Sequence, residues 1–252
     1  MSSPTAAPTT ARDTADGGLL VQDLKVGYGT SQALFGATFN ARGGSTLAVL
    51  GVNGSGKSTF GRAVAGLVPI TGGRIYFDGT DITGLSPHRI SRAGLRYIPE
   101  GRGIFPGLTV NDNLKQALMP VGRGERGQAL HDIFETYPVL FQRRSQRAGS
   151  MSGGEQQILA MSLALMSRPK LIIADEMSLG LAPKMVSAVF DSLERARSTG
   201  ITVILIEQFI HRALAFADDC VILNRGTVGW FGEAGSAGTE VLDRYLGETS
   251  AD

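Results

Sequence analysis

A chain of 252 residues with 42% hydrophobic content has the material for one large domain, or two closely joined subdomains, with a full core. Its formal net charge of +1 offers no global basic field for nucleic acid or for an anionic membrane surface. Cys220 is the only cysteine, which excludes an internal disulfide and a cysteine-based metal site and suits a reducing compartment, and the three histidines, His88, His131 and His211, have no ligand spacing.

Residues 1–18 are rich in Ser, Thr, Ala and Pro without an apolar segment, which makes them a poor signal peptide and an expected disordered tail. No run approaches the roughly 20 apolar residues of a spanning helix. The expectation is a cytosolic protein that meets a membrane only through a partner. Apolar alternation predicts strands over 19–26 and 33–41, with Gly27-Tyr28-Gly29 between them.

The run Thr46-Leu47-Ala48-Val49-Leu50 reads as a buried strand. Directly after it, Gly51-Val52-Asn53-Gly54-Ser55-Gly56-Lys57-Ser58-Thr59 fits G-x-x-x-x-G-K-[ST], and an apolar helix-like segment, 60–67, follows with Gly66 and Pro69 as stop signals. Strand, glycine-rich loop and helix together make a phosphate cradle: glycines let backbone N–H groups curl around an anion, and the helix adds unpaired N–H groups and a positive dipole end. In that cradle Lys57 reaches the β- and γ-phosphates, Ser58 ligates Mg²⁺ and Thr59 reaches the α-phosphate. The bland alternative, a glycine-rich turn with a solvated lysine, leaves the agreement of strand, spacing and helix to chance.

A further strand is predicted over 72–77, ending at the Asp78-Gly79 turn, so the first eighty residues are β-rich. Beyond Ser86 the period becomes helical. Residues 87–95 read as helix, 95–99 as a short apolar run, and 109–119 as helix with Val110, Leu114, Ala117 and Leu118 on one face. A loop at 122–127 and two short helical pieces lead to Gly149. This middle third, 86–164, reads as a helical insertion between nucleotide-binding core segments 19–85 and 165–232 of one domain spanning 19–246, with 247–252 as a tail.

The α/β pattern then resumes: helix over 155–166, an apolar strand over 170–174 ending in Asp175-Glu176, and helix over 183–197 opened by Pro183 and closed at Gly200. A third buried strand is predicted over 201–206 and a short helix over 209–216. Residues 220–224 and 227–231 form a hairpin around Arg225-Gly226. Such alternation specifies an α/β fold with a largely parallel, helix-covered sheet.

Asp175 and Glu176 stand at the carboxyl edge of a strand, where ligands of open α/β sheets bind. Asp175 is placed to hold Mg²⁺ through water and Glu176 to orient or deprotonate an attacking water; the plain alternative is an acidic start to a loop. Ser152-Gly153-Gly154-Glu155 has two compatible readings, a capping box and an anion site at a helix N-terminus.

Met151-Ser152-Gly153-Gly154-Glu155-Gln156-Gln157, lying between the phosphate loop and the Asp-Glu strand, resembles the signature motif of ATP-binding cassette (ABC) ATPases, and the resemblance spans roughly 19–232. Ile98-Pro99-Glu100-Gly101-Arg102, Phe105-Pro106, Leu108-Thr109-Val110 and Ser178-Leu179-Gly180-Leu181-Ala182-Pro183 resemble the ATPase subunits of branched-chain amino acid importers and of related urea or amide importers. The resemblance implies a RecA-like P-loop NTPase core, an antiparallel β-subdomain and a helical insertion, with ATP and Mg²⁺ as cofactors. It assigns residues 51–59 to the phosphates, Tyr28 to adenine stacking in competition with a strand-end packing role, and Ser152, Gly153, Gly154 and Glu155 to the nucleotide held by a second ATPase subunit. It further implies a homo- or heterodimer crossed by residues 178–182, a membrane-spanning permease docking near 100–109, indirect contact with a solute-binding protein, no nucleic acid, and a place on the cytoplasmic face of the membrane.

Four positions depart from the general ABC pattern: Glu100 for glutamine, Met177 for proline, Ala182 for aspartate and Gln208 for the switch histidine. Glu100 would add a carboxylate beside Asp175, Glu176 and the metal, and Gln208 would give a neutral amide bond to phosphate, with His211 as the competing switch. Catalysis would thus rest on Glu176, Lys57, Gln208 and Glu100, and the metal on Ser58, Asp175 and Glu100. The alternatives are a soluble ABC ATPase acting on ribosomes or nucleic acid, which usually carries two cassettes, coiled-coil arms or metal-binding cysteines, and a P-loop kinase, which leaves the signature segment unexplained.

Overall fold

The structure, a computed structural model, describes residues 14–101, 103–119 and 121–246. Its strands are Leu19–Tyr28 (β1), Ser31–Ala41 (β2), Thr46–Leu50 (β3), Ile70–Phe77 (β4), Thr80–Asp81 (β5), Leu95–Ile98 (β6), Leu171–Asp175 (β7), Thr202–Ile206 (β8), Asp219–Asn224 (β9) and Thr227–Glu233 (β10). Its helices are Lys57–Val64 (α1), Pro87–Arg92 (α2), Val110–Ala117 (α3), Arg126–Thr136 (α4), Pro138–Gln142 (α5), Gly153–Leu165 (α6), Pro183–Ser198 (α7), Ile210–Phe216 (α8) and Thr239–Leu246 (α9).

Two sheets follow from two kinds of strand. The half-polar β1, β2, β4 and β5 form an antiparallel sheet in the order β2-β1-β4-β5. The apolar β3, β7 and β8 are buried at every position, as strands covered on both faces must be, and form the centre of a six-stranded sheet ordered β10-β9-β3-β8-β7-β6. The pairs from β9 through β6 are parallel, and β10 folds back on β9 through Arg225-Gly226, both with positive φ as a tight hairpin turn requires. This is the α/β architecture expected, with its antiparallel sheet.

Three apolar clusters hold the layers together. The first lies between the antiparallel sheet, α1 and one face of the parallel sheet, where Phe39 of β2 meets Phe60 of α1 with ring centroids 5.0 Å apart. The second fills the opposite face with residues of α6, α7 and α8, and the third, with Val110, Leu114, Leu140 and Leu159, holds the helices of the middle third. Gly154 is what lets α6 approach α7 closely, because a Cβ there would overlap the Met185 side chain.

Several expectations are corrected. Residues 95–98 are not part of the helical insertion: Gly94 turns the chain at φ 104° and β6 pairs with β7, so the helical stretch begins after Ile98. Gly27 and Tyr28 belong to β1. Residues 14–18 are built into the fold, since the Thr14 hydroxyl accepts from Gly79 N at 2.9 Å, and Gly17 N donates to the Asp78 carboxylate, which also pairs with Lys170. The tail residues 1–13 and 247–252, and Arg102 of the 98–102 motif, lie outside the described residues. The short β5 and α9 were not foreseen. Truncating Phe39 to alanine should open a cavity at the junction of the two sheets and cost about 3–5 kcal/mol in urea unfolding, whereas a loss below about 1 kcal/mol would contradict the role given to this contact.

Candidate functional site

Parallel pairing delivers the ends of β3, β7 and β8 to one sheet edge. The turn after β3 is residues 51–56, where Gly51, Gly54 and Gly56 all have positive φ. A Cβ on Gly51 would overlap the Ser55 hydroxyl and the Leu223 carbonyl, so the loop admits only glycine there. The Gly56 cap gives α1 no side-chain hydrogen bond, and its first turn carries no acidic residue. The N–H groups that open α1 are therefore available to an anion.

Lys57 is only 4% exposed. Its Nζ donates to the Gly51 carbonyl at 2.8 Å and the Val52 carbonyl at 3.3 Å, and stands 3.9 Å from Glu176 Oε1. Burial pulls its pKa down, while Glu176, Asp175 and Glu207 act in the opposite direction. At the next residue, the Ser58 hydroxyl donates to Asp175 Oδ1 at 3.1 Å. The other oxygen of Asp175 accepts from the Tyr97 hydroxyl at 2.6 Å. Asp175 is fully buried, and that burial raises its pKa against the lowering effect of Tyr97 and Ser58.

Glu176 leaves β7 in a left-handed conformation, φ 48°, with its N–H held by the Ile206 carbonyl at 2.8 Å. Its Oε1 accepts from Gln208 Nε2 at 3.0 Å, and the same amide donates to Asn53 Oδ1 at 2.8 Å. The three turns after β3, β7 and β8 are thereby joined through side chains. Tyr28, at the end of β1, stands beside them with its hydroxyl 3.5 Å from Thr59 Oγ1, and the residue is 44% exposed. A cleft of about 160 Å³ lined by Ala33, Asn53, Gly54, Gly56, Lys57, Ser58, Thr59 and Glu176 opens at the loop.

Residues 152–155 stand apart from that cleft. Glu155 N donates to Ser152 Oγ at 3.3 Å and Ser152 N to Glu155 Oε2 at 2.9 Å, so the capping box is made, and Arg143 pairs with Glu155 at 3.4 Å. Glu100 is exposed in the turn after edge strand β6, and no group of three acidic, histidine or cysteine side chains forms a metal cluster among the described residues. It therefore does not join Asp175 and Glu176 in a common cage. His211 lines a second cavity, of about 430 Å³, with Gln208, Leu181, Pro183 and Phe209.

Two polar residues at this edge were missed from the sequence, Tyr97 and Glu207. Tyr97 bonds across 78 positions of chain, which no local pattern reveals. Glu207 carried a signal: an acid directly after the apolar run of β8 repeats the arrangement of Asp175-Glu176 at the end of β7.

Residues 34–178 match the family model described as ABC transporter. The chain is 38% identical over 222 residues to the high-affinity branched-chain amino acid transport ATP-binding protein BraG of Pseudomonas aeruginosa, covering 87% of this chain and 95% of that one. It is 34% identical to the probable branched-chain amino acid transport ATP-binding protein LivF of Archaeoglobus fulgidus, covering 84% and 90%. A solved ATP-binding subunit of an ABC transporter superposes with a TM-score of 0.77 at 28% identity, covering 92% and 95%. Among the described residues no helix is long and apolar enough to cross a membrane. With its phosphate loop, acidic strand end and signature helix in this fold, the chain belongs to the ABC transporter family as an ATP-binding subunit that hydrolyses ATP.

Proposed function

We propose that this subunit works in a head-to-tail pair, homo- or heterodimeric, that closes on two ATP molecules and drives uptake of branched-chain amino acids, or of a related small polar solute such as urea or an amide, through a membrane-spanning permease. The observation that carries this reading is a site in two halves. The phosphate loop, Asp175, Glu176 and Gln208 converge at one edge, while the capped helix end at 152–155 lines no part of their cleft. A cleft of about 160 Å³ is below the roughly 300–1,000 Å³ of an enclosing ligand pocket, as expected if a second surface completes it. The likeness to BraG and LivF supports the solute class. On this reading the chain sits on the cytoplasmic face of the membrane through the permease, which docks near 100–109, and meets a solute-binding protein only indirectly.

In the bound state Tyr28 stacks on adenine and Lys57 exchanges the Gly51 and Val52 carbonyls for phosphate oxygens. The adjacent Ser58 hydroxyl and Asp175 carboxylate fit Mg²⁺, which takes one or two protein oxygens and completes its shell with phosphates and waters. Bound there, the ion would neutralise phosphate charge. Glu176 receives a proton from, or orients, the attacking water, and Gln208 holds that carboxylate from the opposite turn and donates an amide N–H toward the γ-phosphate. A neutral amide lacks the charge-assisted share that a cationic histidine would supply, so basal hydrolysis is slow and rises when the permease orders the site. Ser152, Gly153 and Gly154 face the γ-phosphate of the other subunit. A ribosome- or nucleic-acid-directed role gains no support from a net charge of +1.

Gln208→Ala should lower ATP turnover about tenfold or more, the scale of one hydrogen bond to a charged group, with His211→Ala within about twofold of the parent. Loss of hydrolysis only in the His211 variant would transfer the switch role to that residue. In liposomes carrying the cognate permease, ATP should drive uptake of labelled leucine, isoleucine or valine, or of urea or an amide, only when this subunit is present. Failure of all these solutes under conditions of permease-stimulated ATP turnover would overturn the assigned substrate class.

A further inference from the structure

Glu207 is 2% exposed and makes no ion pair among the described residues. Burying a carboxylate without a cationic partner is costly unless several donors hold it. Here three do. Ser178 N donates at 3.2 Å, Ser178 Oγ at 2.7 Å, and Gln208 N at 3.3 Å. Its own N–H continues the β8 ladder to the Val49 carbonyl at the end of β3. Burial raises the carboxyl pKa and the Ser178 and Gln208 bonds oppose it, with nearby Glu176 adding to the rise.

The placement of those donors gives the carboxylate a purpose. Ser178 is the first residue of the 178–182 segment that runs into α7, and it is itself buried. Gln208 is the residue whose side-chain amide reaches Glu176 and Asn53. One side chain thus fixes the backbone beyond β7 and the backbone beyond β8 at the same time. Besides the Gln208 side-chain bond to Glu176, the chain near these acids is tied by the Glu176 N–H, which donates to the Ile206 carbonyl. Releasing Glu207 would leave Gln208 attached through its side chain but free to swing with its backbone, and would loosen the segment that starts at Ser178.

We propose that Glu207 is a positioning residue for ATP hydrolysis, one whose carboxylate sets the register of Ser178 and Gln208 so that the Gln208 amide meets Glu176. The inference rests on the reading of Gln208 given above. Glutamine at 207 keeps the shape but presents an NH₂ group to backbone and hydroxyl donors, so it cannot accept all three bonds. E207Q should lower kcat about tenfold while the ATP KM stays within about twofold, because the ground-state phosphate contacts of residues 51–59 are untouched. S178A, which removes only the hydroxyl donor, should lower kcat by a smaller factor with the same unchanged KM, and keeps the idea testable if E207Q folds poorly.

A double-mutant cycle decides the mechanism. In a Q208A background the E207Q change should cost less than about twofold in kcat, since a residue acting through Gln208 has nothing left to position. If E207Q, and S178A with it, leave kcat at the parental value, the proposal fails. It fails equally if the E207Q loss is undiminished in the Q208A background, or if KM rises in step with the fall in kcat, as general loosening of the site would produce. Slow Q208A with an undiminished E207Q effect defeats Glu207 alone; parental turnover by Q208A defeats the Gln208 role as well.

Discussion

The parallel register of β3, β8 and β7 is the constraint on which the rest depends. Val49 pairs with Ile206, and Ile206 with Asp175, so the residues that follow these strands emerge at one level. Gly51, Glu176 and Gln208 are then neighbours although they are far apart in sequence. A slip of one residue in either pair would invert the faces of five-residue strands that are buried at every position, and would part the Ser58 hydroxyl from the Asp175 carboxylate.

The same constraint creates an electrostatic problem. Asp175, Glu176 and Glu207 are brought into a largely dry region with Lys57 as the cation that all three influence. Each acid is held by its own donors: Asp175 by Ser58 and Tyr97, Glu176 by Gln208, and Glu207 by Ser178 and Gln208 N. Such dedicated satisfaction fixes the geometry of the groups before phosphate arrives, which is how a site that works mainly by positioning and electrostatics is made. The left-handed backbone of Glu176 belongs to the same arrangement, since it turns the carboxylate back toward the phosphate loop.

Much of this was legible in the chain because the central elements are locally unambiguous. β3, β7 and β8 are uninterrupted apolar runs, and the phosphate loop, the acidic pair and the capping box carry residue types with few other uses. The hairpin at Arg225-Gly226 announced itself through its glycine. What escaped depends on contacts remote in sequence. β6 is a four-residue edge strand containing Arg96 and Tyr97, so its pairing with β7 hides behind a helical neighbourhood. Tyr97 gains its meaning only from Asp175, and the hold of Asp78 on Gly17 and Lys170 converts part of an apparent tail into structure. Glu100, placed beside Asp175 and Glu176 by motif order, is exposed in the turn after β6 and forms no cluster of three acids with them among the described residues.

The central claim is that Glu176 governs hydrolysis in a site completed by a second subunit. It is tested most directly by measuring the mass of a Glu176→Gln variant in solution with ATP and Mg²⁺, together with the nucleotide it retains. The account predicts a dimer that holds two unhydrolysed ATP molecules and falls apart when nucleotide is removed. A variant that remains monomeric with ATP bound, or that turns ATP over at the parental rate, would contradict it.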